Sequence, residues 1–145
     1  MRAMEYETIK TKSAMNRQLE KINPLEEPSW DELLCGNGQA SIFHSSAWAR
    51  VLASSYGYKP VYFAGIEKNS IDTLIPMMEV NSGFTGRRGV SLPFTDYCDP
   101  ILEDESDFPS LLNQVIEHGK QRSWKVLELR DGRGIQPVIE PSYTY

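Results

Sequence analysis

The sequence predicts an α/β domain of the α+β kind, in which helices flank a mixed, mostly antiparallel sheet in the order α-α-β-β-β-α-β. Three observations predict it. Two segments with helical apolar spacing come before any clear strand. Two β-rich segments then flank Glu67-Lys68-Asn69-Ser70, which is typical of a hairpin connection. A further helical segment separates the third strand from a fourth, as in a crossover connection.

The first helix is predicted to begin at Trp30. Ser29-Trp30-Asp31-Glu32 has the spacing of a capping box, in which the serine and the glutamate satisfy each other's backbone amides. The helix should stop by Gly36, because Gly36-Asn37-Gly38 favours a turn.

The second helix should start at a serine cap and end at Gly57. Its apolar residues recur at helical spacing, so we expect them to form one face that packs on the sheet. The candidate caps are Ser45 and Ser46, and the predicted face consists of Trp48, Val51, Leu52 and Tyr56.

Strands are predicted over residues 60–66, 71–80 and 89–94, as a meander. Pro76 cannot donate a ladder hydrogen bond, so we expect it at an edge, a bulge or a strand end. A helix with the apolar stripe Leu111, Leu112, Val115 and Ile116, capped by Ser106 or Asp107, then leads to a strand over residues 125–130.

Composition limits the possible functions. The 145 residues fit one domain, and the charge of −5 argues against a general nucleic-acid binder, which needs a basic surface. A local basic patch has few candidates: Lys10 and Lys12, Arg87 and Arg88, and Lys120, Arg122 and Lys125.

The two cysteines have neither zinc-site nor disulfide-framework spacing, and no apolar run reaches the length of a membrane span. We therefore expect a cytoplasmic protein without membrane insertion and without a metal.

The polar aromatic loop after the third strand carries the best candidates for a site. Phe94, Thr95, Asp96 and Tyr97 offer a carboxylate, a hydroxyl and a phenol that could hold an amine acceptor, and Asp96 is the best catalytic candidate because it could accept a proton. The alternative is that Thr95 and Asp96 satisfy turn amides while the aromatic rings pack.

Glycines and arginines before that strand form a second candidate. In Gly83-Phe84-Thr85-Gly86-Arg87-Arg88-Gly89, backbone amides with Arg87 and Arg88 could bind an anion, although a plain hairpin fits the segment better.

Cys98 has no histidine nearby in sequence to activate it, so a structural role is favoured. His44 and His118 have no ligand-like spacing, and a helix start or the surface is the simpler expectation for each.

The segments Ser45-Ser46-Ala47-Trp48-Ala49-Arg50-Val51-Leu52, Arg87-Arg88-Gly89-Val90 and Ser91-Leu92-Pro93-Phe94-Thr95-Asp96-Tyr97-Cys98-Asp99-Pro100 resemble the amino-terminal half of Fem-like aminoacyltransferases, relatives of the GNAT N-acyltransferases. The resemblance covers roughly residues 24–145. It implies one GNAT-like domain over that range and a second GNAT-like domain that holds most of the catalytic apparatus. Residues 1–23 alternate only weakly between apolar and polar residues, so we expect either a frayed arm or an edge strand there. The tail has no stop signal, so we expect the domain to be truncated.

The resemblance implies amide formation on a peptidoglycan precursor or another amine acceptor, with aminoacyl-tRNA engaged only through the full-length protein. A GNAT domain would hold the pyrophosphate of CoA between the third strand and the next helix. Residues 99–107 carry five carboxylates and no glycine there, so we expect this half to bind no acetyl-CoA and no other cofactor. The alternatives are a non-catalytic interaction module with the same fold and a small-molecule acyltransferase completed by homodimerisation.

Overall fold

A computed structural model describes residues 17–91 and 99–129, and all structural statements concern these two ranges. Three helices and five strands follow one another in the order β1-α1-α2-β2-β3-β4-α3-β5. Their bounds are β1 Glu20–Ile22, α1 Trp30–Cys35, α2 Ser46–Tyr56, β2 Lys59–Glu67, β3 Ser70–Ser82, β4 Gly86–Val90, α3 Phe108–Gln121 and β5 Val126–Glu128.

The five strands form one sheet in the order β1-β2-β3-β4-β5. The first three pairings are antiparallel, and β5 lies parallel to β4 after the α3 crossover. The α+β class is therefore confirmed, with β1 as an extra strand in front of the predicted order. Lys68 and Asn69 adopt positive φ at the β2–β3 turn, as tight hairpin turns require.

The two faces of the sheet bury separate apolar clusters, because successive side chains of a strand point to opposite faces. Trp30, Leu52 and Tyr62 belong to the cluster under α1 and α2. Phe63, Met77 and Trp124 belong to the cluster under α3. Helices thus cover both faces of the central strands.

The indole of Trp124 joins the crossover to the sheet. Added Cβ atoms on Gly89 and Gly119 would lie 2.2 and 2.7 Å from its ring, so only glycine fits against either side of this indole. Its Nε1 donates to Glu79 at 2.7 Å, and Arg122 donates to the same carboxylate through Nε at 3.0 Å and Nη2 at 2.8 Å. These contacts fix the end of α3 on β3.

The bounds of α1 and α2 were predicted correctly, but the cap of α1 was not. Ser29 caps nothing with its side chain, because its hydroxyl donates to the carboxylate of Glu27 at 2.6 Å. The reciprocal capping box lies instead at Ser41 and His44, in a short 3-10 turn before α2. Ser45 is the cap of α2, accepting a hydrogen bond from the Trp48 amide.

The buried face of α2 also differs from the predicted one. Ala49 and Leu52 are buried, whereas Val51 is 46% exposed and Tyr56 is 53% exposed. The small Ala49 lets the helix approach the sheet closely, which turns Val51 and Tyr56 outward. The apolar stripe of α3 is confirmed: Leu111, Leu112 and Val115 are buried.

Candidate functional site

The described residues on either side of the predicted substrate loop pair with two separate positions of β3. Val90 pairs with Met78 of β3, and Ile101 pairs antiparallel with Leu74, further along the same edge of β3. The partners on β3 are four residues apart, about 13 Å at the usual strand rise, whereas ten residues lie between Val90 and Ile101 in the sequence. The chain between these two pairings is therefore longer than the distance along β3 requires.

Pro76 lies on β3 between Leu74, which pairs with Ile101, and Met78, which pairs with Val90. The amide and carbonyl of Leu74 bond to Ile101 at 2.8 and 2.9 Å, so position 76, two residues on, turns its backbone to the same side. We expected Pro76 at an edge, a bulge or a strand end. A strand end and a bulge were wrong, since Pro76 pairs with Tyr62 in mid-strand and the register shift of the β2–β3 pairing lies at Gly65 and Ile66. The residues that would test the third alternative, an edge, lie outside the described ranges.

The departing end of the loop is held by β5. The amide of Ser91 donates to the carbonyl of Glu128 at 2.9 Å, a bond that belongs to the parallel pairing of Val90 with Glu128. Ser91 itself is buried. Ser91, the last described residue before the predicted ligands, therefore lies at the carboxyl ends of two adjacent parallel strands.

The returning end is held by the segment between α1 and α2. Nε2 of His44 lies 2.9 Å from the carbonyl oxygen of Asp99, and Nδ1 accepts from the Ser41 amide at 2.9 Å. Since Nδ1 accepts, Nε2 carries the proton and donates to Asp99. The side-chain amide of Gln39 bonds the backbone of Leu102 twice: Nε2 donates to the carbonyl oxygen at 2.9 Å, and Oε1 accepts from the backbone amide at 3.4 Å.

His44 is only 2% exposed. Burial lowers the pKa of its imidazole below 6.5, although the bonds to Asp99 and Ser41 act in the opposite direction. The imidazole is therefore neutral near pH 7 and serves as a tether. We expected a helix-start or surface role for His44. It does lie at a helix start, but it is buried there, and the Ser41-to-His44 capping-box spacing was a sequence signal for it.

The predicted site residues fall in two groups. Phe94, Thr95, Tyr97 and the catalytic candidate Asp96 lie outside the described residues, so their roles stay predictions. Arg87 and Arg88 lie near the amino end of β4, and three residues, or about 10 Å, separate Arg88 from Ser91. The two arginines are thus at the opposite end of the strand from the loop.

Cations from two distant segments meet beside Arg87. The Lys125 amide donates to the Arg87 carbonyl at 2.8 Å, and Nη1 of Arg87 donates to the Arg122 carbonyl at 3.4 Å. We call this surface the basic edge; it comprises Arg87, Arg122 and Lys125, whereas Arg88 points to the opposite face of the sheet. Glu79 pairs with Arg122, Glu128 with Arg88 and Glu117 with Lys120, whereas Arg87 and Lys125 have no ion pair within the described residues.

The start of α3 is acidic. Asp104 accepts hydrogen bonds from the Ser106 amide at 2.9 Å and the Ser106 hydroxyl at 2.7 Å, capping the 3-10 turn Glu105–Asp107 that precedes the helix. Glu105 and Asp107 add two carboxylates, and a proline occupies the first turn of the helix. Carboxylates thus stand where an anion would otherwise meet free amides.

An open groove of about 310 Å³ lies between β1 and α3. Phe63 and His118 form part of its lining, and their rings meet edge to face at 5.5 Å. Gln114 bonds the segment before β1, accepting from the Leu19 amide and donating to the Arg17 carbonyl. Burial is the main cause that lowers the pKa of His118. The polar contacts found there hold β1 on α3.

Two kinds of site are not found in the described part of the chain. No group of three or more histidine, cysteine or acidic side chains is placed to hold a metal ion, and no helix is long and apolar enough to cross a bilayer. Comparison of the chain with protein-family models, with curated proteins and with solved structures gives no match.

Proposed function

We propose that this domain is the first half of a Fem-like aminoacyl- or acyltransferase of the GNAT superfamily. In this proposal it binds the amine acceptor through the loop of residues 91–100 and packs on a second GNAT-like domain. It binds no CoA itself. The observation that carries the proposal is that Ser91 and Asp99, which flank the predicted ligands in sequence, are held by β5 and by His44.

The held loop ends suit the binding of a substrate. A binding segment loses less affinity to ordering when its ends are already fixed. Ser91 and Asp99 are fixed by bonds to different elements, so the residues between them start and finish at set places. The predicted ligands Phe94, Thr95, Asp96 and Tyr97 all lie within that stretch.

The acidic start of α3 supports the proposed lack of CoA binding. Asp104 already accepts from an amide there, and the neighbouring carboxylates would repel a pyrophosphate. The reaction would join the acceptor nitrogen to the carbonyl carbon of an activated ester while the ester C–O bond breaks and the alcohol leaves. Asp96 would orient the amine or accept its proton, and the second domain would hold the donor and stabilise the oxyanion.

The test is Asp96→Asn in the protein together with its second half. We expect turnover to fall at least about a hundredfold if Asp96 accepts the proton, with an unchanged melting temperature. Glu26→Gln, which neutralises an exposed carboxylate far from the loop in sequence, is the matched control and should leave both unchanged. Full turnover with a lower melting temperature in Asp96→Asn would make Asp96 a turn residue and remove it from the mechanism.

One observation favours the second candidate, an interaction module with a GNAT-like fold. Phe84 is fully exposed at the β3–β4 turn, three residues before Arg87, and belongs to neither described core cluster. An exposed aromatic ring beside cations is typical of a binding surface. Activity in the complete protein that survives loss of the whole loop would favour this candidate over the transferase.

A further inference from the structure

The β3–β4 hairpin presents an aromatic tip. Its register pairs Ser82 with Gly86, which leaves a three-residue tip around Phe84. The Ser82 hydroxyl accepts from the Phe84 amide at 3.3 Å, so the backbone of the tip is held. The Phe84 side chain is fully exposed, and no neighbour covers its ring.

Cations lie behind this tip. Lys125 rests on Gly86, where an added Cβ would come within 2.9 Å of its side chain, and Arg87 follows directly in β4. From residue 80 to residue 90 the chain has no aspartate or glutamate, although the whole protein carries a net charge of −5. Two cations, Arg87 and Lys125, therefore lie beside a hairpin tip that carries no acidic residue.

We propose that this hairpin docks the domain reversibly on an anionic lipid bilayer, with Phe84 in the interfacial region and Arg87 and Lys125 on the lipid headgroups. Phe84 lies at the tip of the turn, and Arg87 lies in β4 just behind it. With the apolar ring at the tip and the cations behind it, the ring would enter the apolar part of the interface while the cations stay at the anionic headgroups.

A bilayer fits this geometry better than a nucleic acid does. Stacking of a base needs an aromatic ring set in the same surface as the cations, and here no side chain supports the Phe84 ring. Insertion into lipid requires only that the ring projects beyond the surrounding protein surface. An anionic bilayer would repel the acidic remainder of the protein, so the protein would turn the hairpin toward the bilayer. This inference is independent of the transferase proposal.

Sedimentation with vesicles tests the inference. We expect the protein to bind mixed phosphatidylglycerol–phosphatidylcholine vesicles, to ignore pure phosphatidylcholine, and to be released by salt. Phe84→Ala should weaken binding about tenfold because the ring no longer enters the interface. Arg87→Gln and Lys125→Gln should each weaken it about fivefold.

Matched controls come from α2, which also exposes an aromatic residue and a cation. Tyr56→Ala and Arg50→Gln should bind as tightly as the unaltered protein. Phe84→Ala removes no buried contact, so its melting temperature should not change, which separates docking from folding. Equal binding by Phe84→Ala, equal binding to neutral vesicles, or binding of single-stranded RNA without binding of vesicles would overturn the proposal.

Discussion

Replacement of Glu79 by glutamine tests the contact that fixes the crossover on the sheet. The Glu79 side chain is 8% exposed and accepts three hydrogen bonds, two from Arg122 and one from the Trp124 indole. Glu79→Gln keeps the size of the side chain but removes its charge, and the amide nitrogen it introduces would face a donor. We expect the variant to fold and to be less stable.

The size of the effect follows from the pKa of the carboxyl group. The bonds from Arg122, aided by Trp124, lower the pKa of Glu79 from 4.5 to about 2 even though burial alone would raise it. That difference corresponds to about 3 kcal/mol of stability. Because Arg122 is 39% exposed and water screens the pair, we expect about 2 kcal/mol at neutral pH.

The sign of the pH dependence is fixed by the lowered pKa. This contribution is fully present above about pH 4.5 and is lost as the pH falls toward 2, because the unfolded chain takes up the proton first. The stability difference between the unaltered protein and Glu79→Gln should therefore shrink to about half or less near pH 3.

Urea denaturation of both proteins at neutral and acid pH measures this difference. Glu67→Gln, at the exposed end of β2, is the control and should change the free energy of unfolding by less than about 0.5 kcal/mol. A neutral-pH difference as small as that of the control, or one that stays constant down to pH 3, would refute the reasoning.

Two further changes test the packing and the tether. Gly89→Ala should lower the free energy of unfolding, measured by urea denaturation, by about 3 kcal/mol, because its Cβ would lie 2.2 Å from the Trp124 ring. The control Gly38→Ala, whose Cβ would have nothing within 4 Å, should be nearly neutral. Equal losses in the two variants would contradict the packing of Trp124 on Gly89. His44→Phe should leave the carbonyl of Asp99 without its imidazole donor and cost about 1–3 kcal/mol. Because burial lowers the pKa of His44, the stability that the neutral imidazole contributes is present above about pH 6.5 and is lost as the pH falls below that. The free energy of unfolding of the unaltered protein should therefore fall more between pH 7 and 5 than that of His44→Phe. Equal falls would contradict the role of His44 as a neutral, buried tether.

Local sequence patterns predicted the elements better than their contacts. Gly57 ends α2 in the left-handed conformation that its type predicts, and the apolar stripe of α3 packs as its spacing indicates. The mid-strand position of Pro76 was not predicted, and the pairing near it, between Leu74 and Ile101, joins distant parts of the sequence. No local pattern encodes a pairing between residues so far apart in sequence.

The candidate site shows the same limit. The loop after β4 stays a prediction from composition, and the contacts that hold Asp99 and Leu102 beside it were not predicted, since His44 lies 55 residues before Asp99 and Gln39 lies 63 residues before Leu102. Ser29 lost its predicted capping role because Glu27, two residues away, offers a charged acceptor to the same hydroxyl. Such competition between nearby partners is decided by geometry that spacing alone does not give.

Two parallel titrations followed by two-dimensional amide NMR test the central claim, that the loop of residues 91–100 binds an acceptor and the start of α3 rejects CoA. The ligands are a soluble peptidoglycan precursor and acetyl-CoA. We expect saturable shifts at Ser91 and Asp99 with the precursor and none at residues 103–110 with acetyl-CoA. Saturable shifts at residues 103–110 with acetyl-CoA, and a loop that ignores the precursor, would contradict the claim.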